Sequence, residues 1–252
     1  DYLNHLNFLG IDPFFDEPYI PLLETNRSCP YRCTFCAWGI GTQKLAMFDE
    51  ERILKEIEYI SKRCKLTTTL ITADANFGIL DRDSRFAAKM YECHEKTGFP
   101  SWVFAQWNKT RSDRIINAGK ELKEIGIVGA SMQSLNEDTL RAIKRKNFTL
   151  PQVSYMQKEL RKTGLKRWDS ELIIGLPCET KESHIEAHRK LMDLDMAITT
   201  YNLHLLPGTE MYEEEYRKKY FKKTGWRLHD NCYGVYEGEK ILELQETVLE
   251  TH

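Results

Sequence analysis

The chain has 252 residues, of which 41% are hydrophobic, and its 36 lysines and arginines nearly balance its 38 aspartates and glutamates. This length suits one large domain, including a single α/β barrel. The near-neutral charge gives no basic field of the kind that binds nucleic acid, and no apolar run approaches the ~20 residues of a membrane span. Seven cysteines without a paired framework indicate a reducing interior, so we expect a cytoplasmic protein.

Strand and helix patterns alternate after a mixed lead-in segment at residues 1–18. Short β-branched and leucine-rich runs predict six strands, at 19–23, 67–72, 102–106, 127–131, 171–174 and 198–206. Helical periodicity, N-cap residues and glycine stops predict helices at 49–63, 84–97, 112–125, 136–144, 151–164, 180–194 and 209–219. A tail follows, with aromatic residues and a final amphipathic piece at 241–249.

This alternation predicts a parallel α/β sheet, because a helix between two strands of one sheet makes a right-handed parallel crossover. A doubly wound sheet and a barrel both fit six strands. The polar residues of interest lie just after strands, where a barrel has its ligand site, so we predict a partial (β/α)6 TIM-type barrel over 19–222. Residues 223–252 are then a C-terminal extension. The chain begins at Asp1 and stops within a segment, so we expect a truncated piece of something larger.

Three cysteines lie close together after the first predicted strand. Cys29, Cys33 and Cys36 have the spacing C-x3-C-x2-C, and the other four cysteines are scattered singly. A zinc site normally takes two spaced pairs of ligands, an internal disulfide would leave an odd thiol, and a two-cluster ferredoxin needs a fourth cysteine before a proline. Three thiolates can instead hold a cubane iron–sulfur cluster with its fourth iron open. The spacing therefore favours an open 4Fe-4S cluster.

The motif C-x3-C-x-aromatic-C, with Phe35 as the aromatic residue, resembles the signature of the radical S-adenosylmethionine (SAM) superfamily. The resemblance implies that Cys29, Cys33 and Cys36 hold a 4Fe-4S cluster whose open iron binds the amino and carboxylate groups of SAM. Phe35 would lie near the adenine. The resemblance also implies that an electron from the cluster cleaves SAM to a 5′-deoxyadenosyl radical, while the protein supplies binding, orientation and exclusion of water and oxygen.

Two stretches after the second and third predicted strands carry further likenesses. The stretch 72–78 has the composition of a turn, and it also resembles the second motif of the superfamily, which binds the amino group of SAM. The resemblance implies that Asp74 and Asn76 bind the cofactor, although the usual glycine-glycine-glutamate sequence is absent. Gln106 ends the third strand, where it could cap the ladder. In the related oxygen-independent coproporphyrinogen oxidases, a glutamate in this position contacts the cofactor.

Gln133 and Arg145 lie twelve residues apart after the fourth predicted strand, in a pattern similar to those oxidases and to the methylthiotransferases. The resemblance implies that Gln133 lies near the ribose and Arg145 near the carboxylate of SAM, which an arginine fork suits geometrically. The alternative for Arg145 is a solvated basic face, since other cations surround it. His184 and His188 are spaced i, i+4, and we interpret them as part of another solvated helix face.

Glu171 enters the fifth predicted strand, where an acidic residue is costly to bury without a partner. It is therefore a candidate for binding a hydroxyl group. The stretch 169–180 resembles the superfamily pattern D-x-I-x-G-L-P-G-E-T, with Glu171 in place of the aspartate and Cys178 in place of the second glycine. Leu206 precedes a turn similar to the P-G-T turn of the superfamily, at which the backbone approaches adenine. The resemblance thus adds Glu171 and Leu206 to the cofactor-binding residues.

The stretches 24–30 and 74–77 look most like superfamily members that carry an N-terminal cobalamin-binding domain and commonly methylate unactivated carbons. The resemblance implies a cobalamin-dependent methyltransferase or related enzyme, with cobalamin bound outside this segment and a reductant such as flavodoxin or ferredoxin. Two alternatives stay open. One is a cobalamin-free radical enzyme of the methylthiotransferase or dehydrogenase type, and the other is a non-enzymatic iron–sulfur or zinc-binding module. The substrate, a small molecule or a peptide, is not specified.

Overall fold

The computed structural model describes residues 12–41, 44–165 and 167–252. Most of the predicted lead-in segment, residues 1–11, lies outside the described residues. Its remaining part forms a 3₁₀ turn at Asp12–Asp16, and Phe15 packs edge-on against Tyr59 at the margin of the core.

The six predicted strands and seven predicted helices occur in the predicted order, whereas four further strands, two short ones after the first strand and two at the C-terminus, were not predicted. The strands are β1 (Leu22–Leu23), β2 (Asn26–Arg27), β3 (Ala46–Met47), β4 (Thr69–Phe77), β5 (Trp102–Trp107), β6 (Gly126–Gly129), β7 (Arg167–Ile174), β8 (Ala197–Asn202), β9 (Phe221–Tyr236) and β10 (Glu239–Thr251). The helices are α1 (Glu50–Arg63), α2 (Asp83–Thr97), α3 (Ser112–Leu122), α4 (Glu137–Ala142), α5 (Leu150–Arg161), α6 (Lys181–Met192) and α7 (Glu214–Tyr220). None of the helices in these described ranges combines the length and apolarity that a bilayer crossing needs.

The main sheet is a parallel α/β sheet with the strand order β1-β4-β5-β6-β7-β8. Each strand lies beside the next one in the chain, so the order never reverses. A doubly wound sheet reverses at a switch point, whereas a barrel winds in one direction. The six-stranded partial barrel is therefore confirmed over the doubly wound alternative, and its strands all point their carboxyl ends to the same edge.

Local capping explains why several helices begin and end where the sequence indicates. Asp49 accepts a hydrogen bond from Arg52 N at the start of α1, and Gly98 ends α2 with a φ of +79°. Asn136 caps α4 through the amides of residues 138 and 139. The predicted opening of α5 at residue 151 is one residue late, because Thr149 and Gln152 form a capping box that starts the helix at residue 150.

All six predicted strands differ in length from their predicted bounds, and the cause is visible for three of them. The second strand, β4, continues through Phe77, so the stretch predicted to be a turn is extended chain; its pairing with β5 is interrupted between Thr72 and Phe77. The fifth, β7, begins at residue 167 because it pairs with β6 from Arg167 onward. The sixth, β8, ends at residue 202 rather than 206, since the chain there turns to meet the C-terminal hairpin.

The C-terminal extension is a long antiparallel hairpin of β9 and β10, and the amphipathic piece at 241–249 is part of its second strand. The base of the hairpin attaches to the chain beyond β8: Leu205 N donates to Glu246 O at 2.9 Å, and Thr247 Oγ1 donates to Leu203 O at 2.6 Å. Arg217 on α7 forms an ion pair with the Glu246 carboxylate. These contacts fix the hairpin beside the end of β8.

Two buried apolar clusters form the core. The larger lies between the sheet and helices α1, α2, α3, α5 and α6, and the smaller lies beside α4 at the carboxyl end of the last strands. The smaller cluster contains Ile143, Leu205, Met211 and Tyr216, and Phe35 of the cysteine loop packs against it. This cluster therefore supports the loop that carries the three cysteines.

Candidate active site

A cavity of about 140 Å³ opens at the carboxyl ends of the parallel strands. Its lining comes from the loop after β2, from β7, from the carboxyl ends of β4, β5 and β6 with the residues that follow them, and from the segment after α4. The residues that line it are Cys29, Tyr31, Cys33, Phe35, Cys36, Trp38, Ala75, Asn76, Gln106, Trp107, Lys109, Ser131, Gln133, Arg145 and Glu171. Every site residue predicted from the sequence, apart from Asp74 and Leu206, is in this set. The fold thus brings together residues that are up to 142 positions apart in the sequence.

The cysteine loop is held in place by backbone hydrogen bonds on both sides of Thr34. Thr34 N donates to Ile143 O at 3.1 Å, and Thr34 O accepts from Met211 N at 2.9 Å. Cys29 and Cys33 are buried, and Cys36 is half-buried. Because the loop is anchored to the end of α4 and to the segment before α7, the three thiols are presented to the cavity by a fixed backbone.

Hydrogen-bond donors are aimed at two of the three sulfur atoms. Asn76 Nδ2 lies 3.0 Å from Cys29 Sγ, and Lys109 Nζ lies 2.8 Å from Cys33 Sγ. Arg145 Nη1 is 3.9 Å from the same Cys33 sulfur. Donors of this kind stabilise thiolates, and they are the outer contacts that orient and tune sulfur ligands of a metal centre. The donor set around the cysteines therefore fits an iron–sulfur cluster.

Across the described ranges, no three His, Cys, Asp or Glu side chains converge on a point that one metal ion could occupy. A structural zinc ion needs such convergence, since it binds four ligands tetrahedrally. A cubane cluster gives each thiolate its own iron atom, so three cysteines can line one cavity without meeting at one point.

Positive charge is concentrated beside the cysteines. Burial lowers the pKa of Lys109, and the neighbouring guanidinium of Arg145 lowers it further. Burial also lowers the pKa of Arg145 and raises the pKa of the Cys36 thiol. Glu171 is the carboxylate among the lining residues. A cavity with two cations and one carboxylate attracts an anionic or zwitterionic ligand.

Gln133 and Glu171 form a polar pair on one wall of the cavity. Gln133 Nε2 donates to Glu171 Oε2 at 3.3 Å, and the backbone of Gln133, with a φ of +63°, pairs with β7 through Glu171 O and Ile173 N. The Gln133 side-chain oxygen is buried and has no hydrogen-bond partner in the described part of the chain. A buried acceptor without a partner is costly, so this site fits a ligand that donates a hydroxyl group.

Arg145 lies in the cavity wall rather than on the solvated basic face that was the alternative for it. Its Nε donates to Asn147 Oδ1 at 2.9 Å, and its Nη2 donates to Ser131 O. Arg141 and Lys144, in contrast, are exposed and form surface ion pairs with Asp138 and Glu210. The neighbouring cations thus point to solvent, whereas Arg145 is turned toward Cys33.

Asp74 and Leu206 do not line the cavity. The Asp74 carboxylate is buried and accepts three hydrogen bonds, from Thr25 N at 2.8 Å, Asn26 N at 2.9 Å and Thr25 Oγ1 at 2.8 Å. These bonds tie the segment before the cysteines to β4, and contact of Asp74 with a cofactor stays a prediction. Leu206 O accepts from the Thr209 amide and hydroxyl at the predicted turn, and contact with a cofactor stays a prediction.

We expect Asp74→Ala to lower the free energy of unfolding by about 3 kcal/mol, because it removes a buried carboxylate and leaves three donors without their acceptor. Urea denaturation of the purified chain measures this change. The control is Asp193→Ala at an exposed site at the end of α6, where we expect a change below about 0.5 kcal/mol. Equal stability of the two variants would contradict the structural role of Asp74.

Lys109, Tyr31, Trp38 and Trp107 line the cavity although the sequence analysis did not select them. Lys109 Nζ lies 4.2 Å from the centre of the Tyr31 ring, and the Tyr31 hydroxyl is hydrogen-bonded to Thr110. The position of Lys109, two residues beyond the end of β5 at the barrel mouth, is the signal that could have indicated it.

A second polar cluster lies outside the cavity, around Glu179. Ser134 Oγ donates to Glu179 Oε1 at 2.6 Å, and His184 Nδ1 lies 3.4 Å from Glu179 Oε2. The side chains of Glu179 and His184 are only 4% and 14% exposed. The interpretation of His184 and His188 as a solvated face is therefore wrong for His184, which a carboxylate from the preceding loop covers.

We expect Glu179→Gln to stabilise the protein at pH 8. Burial raises the pKa of Glu179 to about 7, with the Ser134 hydroxyl acting in the opposite direction. The protonated form is favoured in the fold, so its stabilising effect is complete below about pH 4.5 and is lost as the pH rises through about 7. His184 does not compensate, because burial and His188 lower its pKa.

Thermal or urea unfolding at pH 5 and pH 8 tests this expectation. From pH 5 to pH 8 the free energy of unfolding of the wild type should fall by about 2 kcal/mol relative to that of Glu179→Gln, since one pKa unit corresponds to about 1.4 kcal/mol. Glu186→Gln, at an exposed position of α6, is the control and should follow the wild type at both pH values. If the free energy of unfolding of Glu179→Gln changes with pH as that of the wild type does, the raised pKa of Glu179 is contradicted.

Comparison with known proteins decides the family. The model of a family described as the Radical SAM superfamily matches residues 23–218. The chain belongs to the radical SAM superfamily. Membership in a family of radical SAM enzymes favours an enzyme over the non-enzymatic alternative. Membership in this superfamily implies a 4Fe-4S cluster and SAM as cofactors.

Two curated relatives of this radical SAM chain are named as methyltransferases. One is the cobalamin-dependent radical SAM methyltransferase TokK of Streptomyces tokunonensis, which is 32% identical over 241 residues covering 93% of this chain and 35% of that protein. The other is 2-(S-pantetheinyl)-carbapenam-3-carboxylate methyltransferase of Streptantibioticus cattleyicolor, 33% identical over 206 residues covering 79% of this chain and 30% of that protein. The chain thus spans about a third of the length of these relatives.

Solved structures confirm the radical SAM fold. The methyltransferase TsrM from Kitasatospora setae has a TM-score of 0.64 and 15% identity, with 94% of this chain and 50% of that chain covered. The coproporphyrinogen III oxidase HemN from Escherichia coli has a TM-score of 0.53 and 16% identity, with 77% of this chain and 48% of that chain covered. At these identities the likeness establishes the partial TIM-type barrel and nothing finer.

Proposed function

We propose that this chain is the catalytic core of a cobalamin-dependent radical SAM methyltransferase or a related cobalamin-dependent enzyme. In this proposal Cys29, Cys33 and Cys36 hold the 4Fe-4S cluster. The observation that carries it is the convergence of the three cysteines with Arg145 and the Gln133–Glu171 pair on one cavity at the barrel mouth. That cavity offers thiols, a cation fork and an unpaired buried acceptor side by side.

When bound, the cluster supplies the electron that cleaves SAM to a 5′-deoxyadenosyl radical. The residues of this chain bind and orient SAM around it. In this proposal the Arg145 guanidinium binds the SAM carboxylate, and the polar pair of Gln133 and Glu171 binds ribose hydroxyls. Phe35 provides an apolar surface for the adenine at the inner side of the cysteine loop. Asn76 holds the Cys29 sulfur, so its role is to orient a cluster ligand.

The aromatic side chains around the cavity serve to exclude water and oxygen. Trp107 is buried, and its indole N–H donates to Ile127 O at 2.9 Å, which fixes the ring against the barrel wall. Tyr31 is held by Thr110, while Trp38 is half exposed at the rim. These side chains would shield a radical formed in the cavity. Because such a cluster is oxygen-sensitive, we propose that the protein works in a reducing, cytoplasmic compartment. An electron donor such as flavodoxin or ferredoxin would reduce the cluster.

Methyl transfer with cobalamin is supported by the two curated relatives, of which TokK is named as cobalamin-dependent. Cobalamin would be bound by a part of the protein outside this segment. The cobalamin-free alternative lacks a supporting observation of this kind. The substrate remains unassigned, because the cavity residues that converge are those that would hold the cluster and SAM.

The radical SAM assignment is tested by reconstituting the cluster anaerobically with iron and sulfide. SAM and a reductant are then added, and 5′-deoxyadenosine is measured. The full-length protein is then analysed for bound cobalamin. Formation of 5′-deoxyadenosine together with stoichiometric cobalamin supports the complete proposal. Formation of 5′-deoxyadenosine by a full-length protein that does not bind cobalamin would favour the cobalamin-free alternative.

A further inference from the structure

Lys109 occupies a fixed position beside Cys33. It follows the end of β5, and the buried Asn108 organises its turn: Asn108 Oδ1 accepts from Thr110 N at 3.1 Å and Arg111 N at 2.7 Å, while Asn108 Nδ2 donates to Gly78 O at 2.6 Å. The lysine ammonium lies between the Tyr31 ring at 4.2 Å and the Cys33 sulfur at 2.8 Å. Its location is thus set by a buried amide and an aromatic surface.

The ammonium of Lys109 has a sulfur atom, rather than a carboxylate, as its close polar partner. Within the described ranges no ion pair joins Lys109 to an aspartate or glutamate, whereas lysines such as Lys55, Lys62 and Lys96 pair with glutamates on the surface. Partial burial of a cation costs free energy unless negative charge lies nearby. The Cys33 sulfur supplies that charge when it is a thiolate, as it is in a metal centre.

We propose that Lys109 sets the reduction potential of the cluster through its charged hydrogen bond to the Cys33 sulfur. This inference rests on the proposed function. Adding an electron makes a cluster more negative, so a nearby ammonium stabilises the reduced form more than the oxidised form and raises the potential. Hydrogen bonds to the sulfur atoms act in the same direction. Lys109 therefore acts on the cluster through Cys33 and favours its reduction, and this role is distinct from that of the groups that bind SAM.

The contacts of the other donors favour Lys109 for this role. Arg145 approaches the same sulfur only at 3.9 Å, and it also donates to Asn147 and Ser131. Asn76 donates to Cys29 at 3.0 Å but carries no charge. Lys109 alone among these three combines a full charge with a short contact to sulfur.

The test is an anaerobic redox titration of the reconstituted cluster, followed by electron paramagnetic resonance, in four forms of the protein. These are the wild type, Lys109→Met, Lys109→Arg and the exposed control Lys158→Met on α5. At a fixed potential we expect Lys109→Met to lower the ratio of reduced to oxidised cluster at least tenfold, which corresponds to a midpoint about 59 mV more negative for one electron. Lys109→Arg and Lys158→Met should stay near the wild type.

An unchanged midpoint in a Lys109→Met protein with full iron and sulfide content would overturn this inference. If Lys109→Met takes up no cluster, Lys109→Gln replaces it, because glutamine keeps a donor and removes the charge. A midpoint shift in that variant supports the inference, and an unchanged midpoint or loss of the cluster in both variants overturns it. A wild type that holds no SAM-cleaving cluster would instead refute the proposed function, so the two failures are distinguishable.

Discussion

Replacing Cys33 by alanine should abolish cluster binding and the formation of 5′-deoxyadenosine. Cys33 is the central cysteine of the motif, and its buried sulfur is contacted by both Lys109 and Arg145. Removing it leaves two thiols, which cannot hold a cubane with a single open iron. We therefore expect the iron content after reconstitution to fall to background and the product to fall below about one hundredth of the wild-type amount.

The matched control for this substitution is Cys178→Ala. Cys178 is exposed and lies in the loop after β7, outside the cavity, so its loss should leave iron content and product formation close to those of the wild type. Circular dichroism of both apo-proteins checks that the fold is retained. Product formation by Cys33→Ala at the wild-type rate would show that the cluster is held elsewhere.

Arg145→Met should weaken SAM binding by about a hundredfold, because it removes the cation fork that matches a carboxylate and returns no donor in its place. Arg145→Lys keeps the charge and loses the fork, so about a tenfold loss is expected. Equilibrium dialysis of the reconstituted protein with labelled SAM measures both constants. The ranking of the two variants tests the bidentate geometry separately from charge.

Arg141→Met serves as the control for Arg145→Met. Arg141 is exposed on α4 and is paired with Asp138 at the surface, so its loss should change SAM affinity less than twofold. Because Arg145 also donates to Ser131 O and Asn147, iron content has to be verified in each variant before affinities are compared. Identical SAM affinities for the wild type and Arg145→Met would show that Arg145 does not bind SAM.

The order of elements followed from local signals, whereas several bounds depended on distant partners. Alternating apolar residues and the caps at Asp49, Asn136 and Thr180 are local, and these caps appear as expected. The extension of β4 through Asp74 depends on Thr25 and Asn26, which lie 49 and 48 residues away. Tertiary hydrogen bonds of this range override turn propensity, and a single sequence does not reveal them.

The candidate site was accessible from sequence where its residues belong to a spaced motif or follow a strand. Cys29, Cys33 and Cys36 are of the first kind and Gln133 is of the second, while Arg145 was found through its spacing of twelve residues from Gln133. Lys109 lacked a motif, and its significance came from a contact with a cysteine 76 residues away. The contact between His184 and Glu179 was missed because helical spacing shows which residues share a helix face. It does not show which loop packs against that face.

The central claim is best tested by electron paramagnetic resonance of the reduced, reconstituted chain before and after SAM is added. The account predicts about four irons and four sulfides per chain and a reduced-cluster spectrum that changes when SAM binds the open iron. A tetrahedral zinc centre, or an iron–sulfur spectrum that is identical with and without SAM, would contradict it.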